Sequence, residues 1–281
     1  MSDFILGHEP AIRLGAFLGI LVVMAGWEAL APRRPRSVSR WLRWPSNLGI
    51  VVLNTVVLRL AIPVTAIGVA ALGEHNGWGV LNLVALPGWM RIVAAVLVLD
   101  VAVYFQHAVF HAVPALWRLH RMHHADVDFD VTTGARFHPI EILLSMGLKL
   151  AVVAALGAPP IAVLVFEVAL NATAMFNHGN VGLPAWLDRM LRWIVVTPDM
   201  HRVHHSVVPR ETNSNFGFNL PWWDRLFGTY CAEPTGGQAG MTIGLERFRD
   251  PGQLRIDRML LQPLVGSADA HPIERQGRPP T

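Results

Sequence analysis

Ten of the thirteen histidines lie between His107 and His205, and their spacing is helical. His107 and His111 share a stripe with Asp100 and Tyr104, because positions i, i+4, i+7 and i+11 fall on one face at 3.6 residues per turn. His120, His123 and His124 (LHRMHH) follow at i, i+3 and i+4, and His201, His204 and His205 (MHRVHH) repeat the same triplet. Imidazoles packed this densely beside lipid-compatible sequence are costly to bury unless something binds them, and a metal ion is the natural binder. Core histidines come singly, and histidine tails bind metal without helical spacing, so neither accounts for paired triplets.

Eight box histidines are too many for one ion, since zinc takes four protein ligands or fewer and first-row metals seldom exceed six. The spacing therefore implies two metals, each with four or five nitrogens and at least one open position. An all-nitrogen shell suits Fe, Zn, Cu or Ni and disfavours Mg or Ca. His178 (FNHGN) and His138 (RFHPIE) each stand alone at the end of an apolar run and are further candidates, His138 the weaker. Metal-bound imidazoles usually donate their other N–H to a carboxylate or carbonyl. Asp126, Asp128 and Glu141 are near enough in sequence to accept it, but the leading candidates are Asp100 and Asp199, with Tyr104 on the same stripe as Asp100. Asp199 follows Pro198, where a helix would begin, so it could cap that helix or reach an imidazole. His8, His75 and His271 lie outside the cluster and read as surface residues.

The elements that must carry these side chains are membrane helices. The apolar fraction is 52%, only 15% of residues are charged, and mean hydropathy is +0.38, which places the chain among polytopic membrane proteins. The net charge of +3 arises from arginines beside apolar spans and points to a membrane surface rather than nucleic acid. A single cysteine, Cys231, leaves no intramolecular disulfide and no thiolate cluster. No glycine-rich nucleotide loop occurs.

Spans are expected at residues 14–31, 47–72 (interrupted by Pro63), 89–111, 140–157 and 160–177. The last two are joined by Ala158-Pro159-Pro160 as a tight hairpin. Arg33, Arg34, Arg36, Arg40 and Arg43 mark the first loop as cytoplasmic, with Trp41 and Trp44 at the interface and Glu28 able to reach it. Counting spans from there brings both triplets and His178 to the cytoplasmic face of an inner, cytoplasmic-type membrane. Residues 184–198 read as an interfacial helix. The expected organisation is all-α: a polytopic membrane helical bundle of about five crossings under a cytoplasmic helical cap carrying the di-metal site. Residues 1–88 hold the first helices and the basic loop, 89–232 the histidine core, and 233–281 a cytoplasmic segment ending in a disordered tail from about Gly266.

The stretches DVAVYFQHAVFH, LHRMHH, RFHPIE, NHGN, TPDMHRVHH and NSNFGFNLPWWDRLFGT together resemble the fatty acid hydroxylase/sterol desaturase superfamily over about residues 90–232. That resemblance implies a non-haem di-iron centre that activates O2 and hydroxylates or desaturates an unactivated C–H position of a lipid, with zinc a possible substitute for iron in purified protein. It also implies electrons from a separate donor of ferredoxin or cytochrome type, since no HPGG haem-binding segment is present. Carried across by motif, the eight box histidines are metal ligands and His178 a ninth. Some members have a further histidine four residues before it, where this chain has Ala174, so His138, a water or a less complete shell takes that place. A carotenoid hydroxylase or ketolase shares the histidine chemistry, but the order of boxes and the WDRLFGT segment favour the sterol/fatty-acid branch. A membrane metal transporter would need fewer ligands, strung along a path, for the ion to leave.

Overall fold

The computed structural model describes residues 2–266; the tail expected beyond Gly266 lies outside them. Among the described residues the chain is helical, with two isolated β-bridges, Pro32 to Val181 and Ser206 to Ile243, and no strand. Five stretches are long and apolar enough to cross a membrane: Glu9–Leu30, Arg40–Leu83, Gly88–Ala112, Pro139–Leu156 and Pro160–Asn177.

Local chemistry sets where each helix starts and stops. Helix α1 (Glu9–Leu30) opens with Pro10 in its first turn. Helix α2 (Arg40–Ala61) is capped by Ser39, whose hydroxyl accepts from the Trp41 N–H. It begins seven residues before the expected 47, so Arg40 and Arg43 lie in its first turns and not in a loop. The interruption at Pro63 is a full break, and the chain resumes as α3 (Ala66–Asn76), capped by Thr65 and stopped by Gly77 at φ 67°. Helix α4 (Gly88–Ala112) ends where Pro114 starts α5 (Pro114–His124). Helices α6 (Pro139–Leu156) and α7 (Pro160–Asn177) form the expected hairpin, closed by Gly157 at φ 66° and Pro159-Pro160. A Cβ on Gly79 would sit 2.1 Å from the Gly157 nitrogen, so the α3–α4 connection and the hairpin turn touch backbone to backbone at that end of the bundle.

The half of the bundle away from the histidines is packed by small and aliphatic residues, among them Ala70, Ala95, Leu99, Val153, Ala162 and Phe166. Val22, Val52, Val98, Phe105, Leu144 and Leu148 stay exposed along the spans, as lipid-facing side chains do. Exposed Trp41, Trp186, Trp193 and Trp222 belong to the histidine end, and Trp78 and Trp89 to the other, the two aromatic belts of a membrane helix bundle. The interfacial segment is a short helix, α8 (Ala185–Leu191), with Trp186 and Trp193 at 63% and 60% exposure.

The basic segment after α1 has a different task from the one its charge suggested. Arg43 is fully buried, with Nε and Nη2 on Asp126 at 2.7 Å and Nη1 on Asp130 at 2.6 Å. Arg40 pairs with Glu28 at 2.7 Å and Arg33 with Asp199 at 3.1 Å. Arg34 donates to the carbonyls of Gln238 and Met241. Glu28 does not face the interface. It is buried and accepts the backbone N–H groups of Val131 and Asn180 at 2.7 and 2.9 Å. These arginines and this glutamate fasten the first two helices to the cap.

Candidate metal centre

Nine buried histidines converge in two groups. His107 and His111 of α4, His120 and His124 of α5, and His204 of α9 (Pro198–His204) form the first. His123 of α5, His178 just after α7, and His201 and His205 on and after α9 form the second. Within each group the ligand atoms lie within 4.8 Å of one another. The two HxxHH triplets interlock: His120 and His124 enter the first group and His123 the second, whereas His201 and His205 enter the second and His204 the first. On a helix, i and i+4 diverge by about 40° but i+3 and i+4 by about 100°, so one turn can straddle two neighbouring sites. The sites adjoin, since the rings of His124 and His205 stack at 4.5 Å.

Outer contacts settle which nitrogen faces inward. Nδ1 of His107 donates to the Phe216 carbonyl at 2.8 Å, Nδ1 of His204 to the Ser214 carbonyl at 2.7 Å, and Nδ1 of His178 to the Ala174 carbonyl at 2.7 Å. Nδ1 of His120 lies 2.6 Å from Glu141, and Nδ1 of His111 is 3.2 Å from the Asn213 side-chain oxygen. A carbonyl or carboxylate accepts only, so these Nδ1 atoms carry hydrogen and their Nε2 lone pairs point into the groups. His107 and His120 Nε2 stand 3.1 Å apart, and His178 Nε2 is 3.1, 3.1 and 3.2 Å from those of His123, His201 and His205. Lone pairs converging this closely repel. Nitrogens bound about 2.0–2.1 Å from one ion stand roughly 2.9–3.4 Å from each other, which these separations match.

Nε2 of His111, His124 and His204 is buried without a protein partner, as an ion's ligand would be. Burial holds the imidazoles of His120 and His178 down at about 3, and those of His123, His124, His201, His204 and His205 well below the ordinary value. They are neutral, the metal-binding form. The donor set fits transition-metal ions, and histidine groups able to hold metal are present.

One loop supplies three of the outer contacts. Asn213, Ser214 and Phe216 hold His111, His204 and His107. Asp224 fixes the loop by accepting the Phe216 and Gly217 N–H groups at 2.7 and 2.9 Å, and burial pushes its carboxyl up to about 6. Asn215, at φ 52°, ties the loop to the carbonyls of Met200 and Cys231. The sequence shows this loop as the NSNFGF motif, but two of its three contacts are made by backbone carbonyls, which residue types do not reveal. Gly134 lies so close that a Cβ there would be 2.6 Å from the Ala174 carbonyl and 3.1 Å from His178 Nδ1.

Four expectations are corrected. Asp199 reaches no imidazole; it pairs with Arg33 and Arg202. Residues two apart on a helix point about 200° apart, which turns Asp199 away from His201 and toward Arg202, and the cap is Thr197 instead. Asp100 lies seven residues, about 10 Å of helix rise, from His107. It accepts from Asn219 and Trp223 at 2.7 Å each and so braces the loop. The Tyr104 hydroxyl meets Thr229 at 2.8 Å. His138 belongs to neither group. It caps α6, accepting from the Ile140 N–H, and its other nitrogen lies 3.3 Å from the Leu260 carbonyl. His178 joins the four-membered group, and the imidazole carboxylate partner is Glu141, one of the lesser candidates.

A cavity of about 300 Å³ runs between α2, α4, α6 and α7 and ends at His107 and His120. Its walls are largely apolar, with Leu58, Leu99, Val103, Phe110, Met146 and Phe166 among them. Phe137 stacks on His123 at 4.4 Å and Phe129 on His178 at 5.3 Å, shielding the second group.

Residues 92–229 match the profile of the fatty acid hydroxylase family. The chain is similar to an ornithine lipid hydroxylase of Rhizobium tropici, 32% identical over 148 residues, covering 53% of this chain and 44% of that protein. It is similar to an alkylglycerol monooxygenase of Xenopus tropicalis, 28% identical over 76% of this chain and 47% of that protein. A cholesterol 25-hydroxylase-like protein of Danio rerio is 28% identical over 81% of this chain and 95% of its own length. The chain thus spans about half the length of the first two. No solved structure matches it significantly.

Proposed function

From the premise that the chain belongs to the fatty acid hydroxylase family, we propose that it is a membrane-bound oxygenase that hydroxylates or desaturates a C–H position of a lipid, holding two metal ions, iron in the native state. The observation that carries this is the junction of the two histidine groups with an apolar cavity inside the bundle. His107, His111, His120, His124 and His204 would hold one ion, and His123, His178, His201 and His205 the other. Bound there, the metals supply the dioxygen chemistry, as the family's cofactor does.

The protein does the rest. Phe216, Ser214, Ala174 and Glu141 fix the imidazole orientations. Phe129, Phe137 and Trp117 shield the histidines. The bundle admits an apolar chain and leads it to His107 and His120. Electrons come from a separate donor of ferredoxin or cytochrome type, and the histidine end of the bundle faces the cytoplasm from an inner membrane.

The test has two arms. Purified protein should hold close to two metal ions per chain, and His123→Ala or His204→Ala, one from each group, should lower that content. Lipid profiles of cells with the intact and the His204→Ala gene should differ by a product that has gained one oxygen or lost two hydrogens. One ion or none in well-folded protein, or identical lipid profiles, would refute the reading.

A further inference from the structure

Helix α6 is apolar except for three side chains in its interior: Glu141, Ser145 and Lys149, in the sequence PIEILLSMGLKLAVVAAL. They are four apart, so they form one stripe, and all three line the cavity that ends at His107 and His120. Each meets a different helix: Glu141 the His120 imidazole at 2.6 Å, Ser145 the Gln106 amide at 2.7 Å, and Lys149 the Glu167 carboxylate at 2.8 Å. At 1.5 Å per residue the stripe runs about 12 Å from the metal end of the cavity to Lys149.

Lys149 stands within a span, where a charged side chain is expensive and usually marks a site. Holding α6 to α7 does not exhaust it. The second oxygen of Glu167 is already met by Arg13 at 3.3 Å, and Lys149 has three N–H donors with one on Glu167. Asn171, one turn from Glu167 on α7 toward His178, also lines the cavity, its amide donating to the Glu167 carbonyl. The cavity wall is thus mostly apolar, with Ser145 and Gln106 paired midway, metal ligands at one end, and Lys149 and Asn171 beside the Arg13–Glu167 pair away from it.

We propose that this second end is a binding site for the oxygen-bearing end group of the lipid substrate. The substrate lies along the stripe, its hydroxyl or carboxylate accepting from Lys149 and Asn171, and its carbon about 12 Å away is presented at His107 and His120. The site selects lipids whose oxidised carbon is separated from an oxygen function by an apolar body of that length. This rests on the oxygenase reading for the identity of the ligand as substrate, while the binding itself is measured without turnover.

Titration calorimetry on the purified full-length protein compares decan-1-ol with n-decane in one detergent. Decan-1-ol should bind about tenfold or more tighter, the worth of a hydrogen bond to a charged group. Lys149→Met should abolish that preference, Lys149→Arg should retain most of it, and Asn171→Leu should reduce it; metal content verifies that each variant is folded. If Lys149→Met does not fold, Lys149→Arg and Asn171→Leu still decide. Equal binding of alcohol and alkane to the wild type, a preference that survives in Lys149→Met, or one that is undiminished in Asn171→Leu, would overturn the assignment and leave Lys149 as a helix-pairing residue. A preference that depends on Lys149 in a protein that oxidises no lipid would support the site and count against the oxygenase reading alone.

Discussion

Glu141 and His138 are three residues apart and separate metal support from helix architecture. Glu141→Gln keeps size and an acceptor oxygen at His120 but cannot become the carboxylate that would strengthen a metal-bound imidazole. Losses of roughly 10–100-fold in metal affinity or activity follow from such changes, and metal retained against a chelator measures the first. His138→Ala removes a helix cap and should cost about 1 kcal/mol of stability with metal content unchanged; loss of an ion from His138→Ala would restore it as a ligand. The box histidines were legible because their spacing is short-range and the helix period converts it directly into a face. Asp100 and Asp199 mislead because nearness in sequence says nothing of side-chain direction, although the 200° offset of Asp199 from His201 follows from the helix period alone. The carbonyls of Ser214 and Phe216 were not legible, since any residue type supplies one.

The same lesson recurs among elements. The apolar runs gave the spans, the Pro-Pro hairpin and the all-α architecture, because length and hydropathy suffice for those. Five arginines in eleven residues read as a solvated loop and hide the start of α2, and only the fold shows that Arg43 serves Asp126 and Asp130. Arg43→Met should therefore be strongly destabilising, by about 3–5 kcal/mol, because it takes from the buried Asp126 and Asp130 the cation nearest to both. Unfolding of the purified protein in detergent measures it. A loss under 1 kcal/mol would mean the carboxylates find protons or water instead. Arg36→Met, at an exposed loop position, is the control.

For the whole molecule, the testable statement is sidedness. The segments 31–39, 113–138 and the described residues that follow Asn177 lie at the histidine end, as the contacts of Ser37 with Asp128 and of Arg33 with Asn180 indicate. Asn76 adjoins the α3–α4 connection, which touches the hairpin turn at the other end. Reporter fusions at Ser37, Asp128 and Gly236 should all report the cytoplasm and one at Asn76 the opposite side. Opposite signals from Ser37 and Asp128 would be incompatible with this arrangement. The orientation relies on the arginine count of the first loop, and that count keeps its weight although most of those arginines are paired, because acidic residues contribute little to insertion.

The wiring of α1 and α2 to the cap also has a history in time. Chains are made from the N-terminus, so Glu28 and Arg40, twelve residues apart, can pair with each other as soon as both are synthesised. Arg43 must wait for Asp126, eighty-three residues later, and the backbone partners of Glu28, the N–H groups of Val131 and Asn180, lie 103 and 152 residues away. A growing chain thus carries an unmatched guanidinium at the membrane surface until the first histidine triplet has emerged, and Arg43 then finds its partner two residues after His124. The anchor can therefore form before His178 and the second triplet, which complete the two histidine groups, have been made.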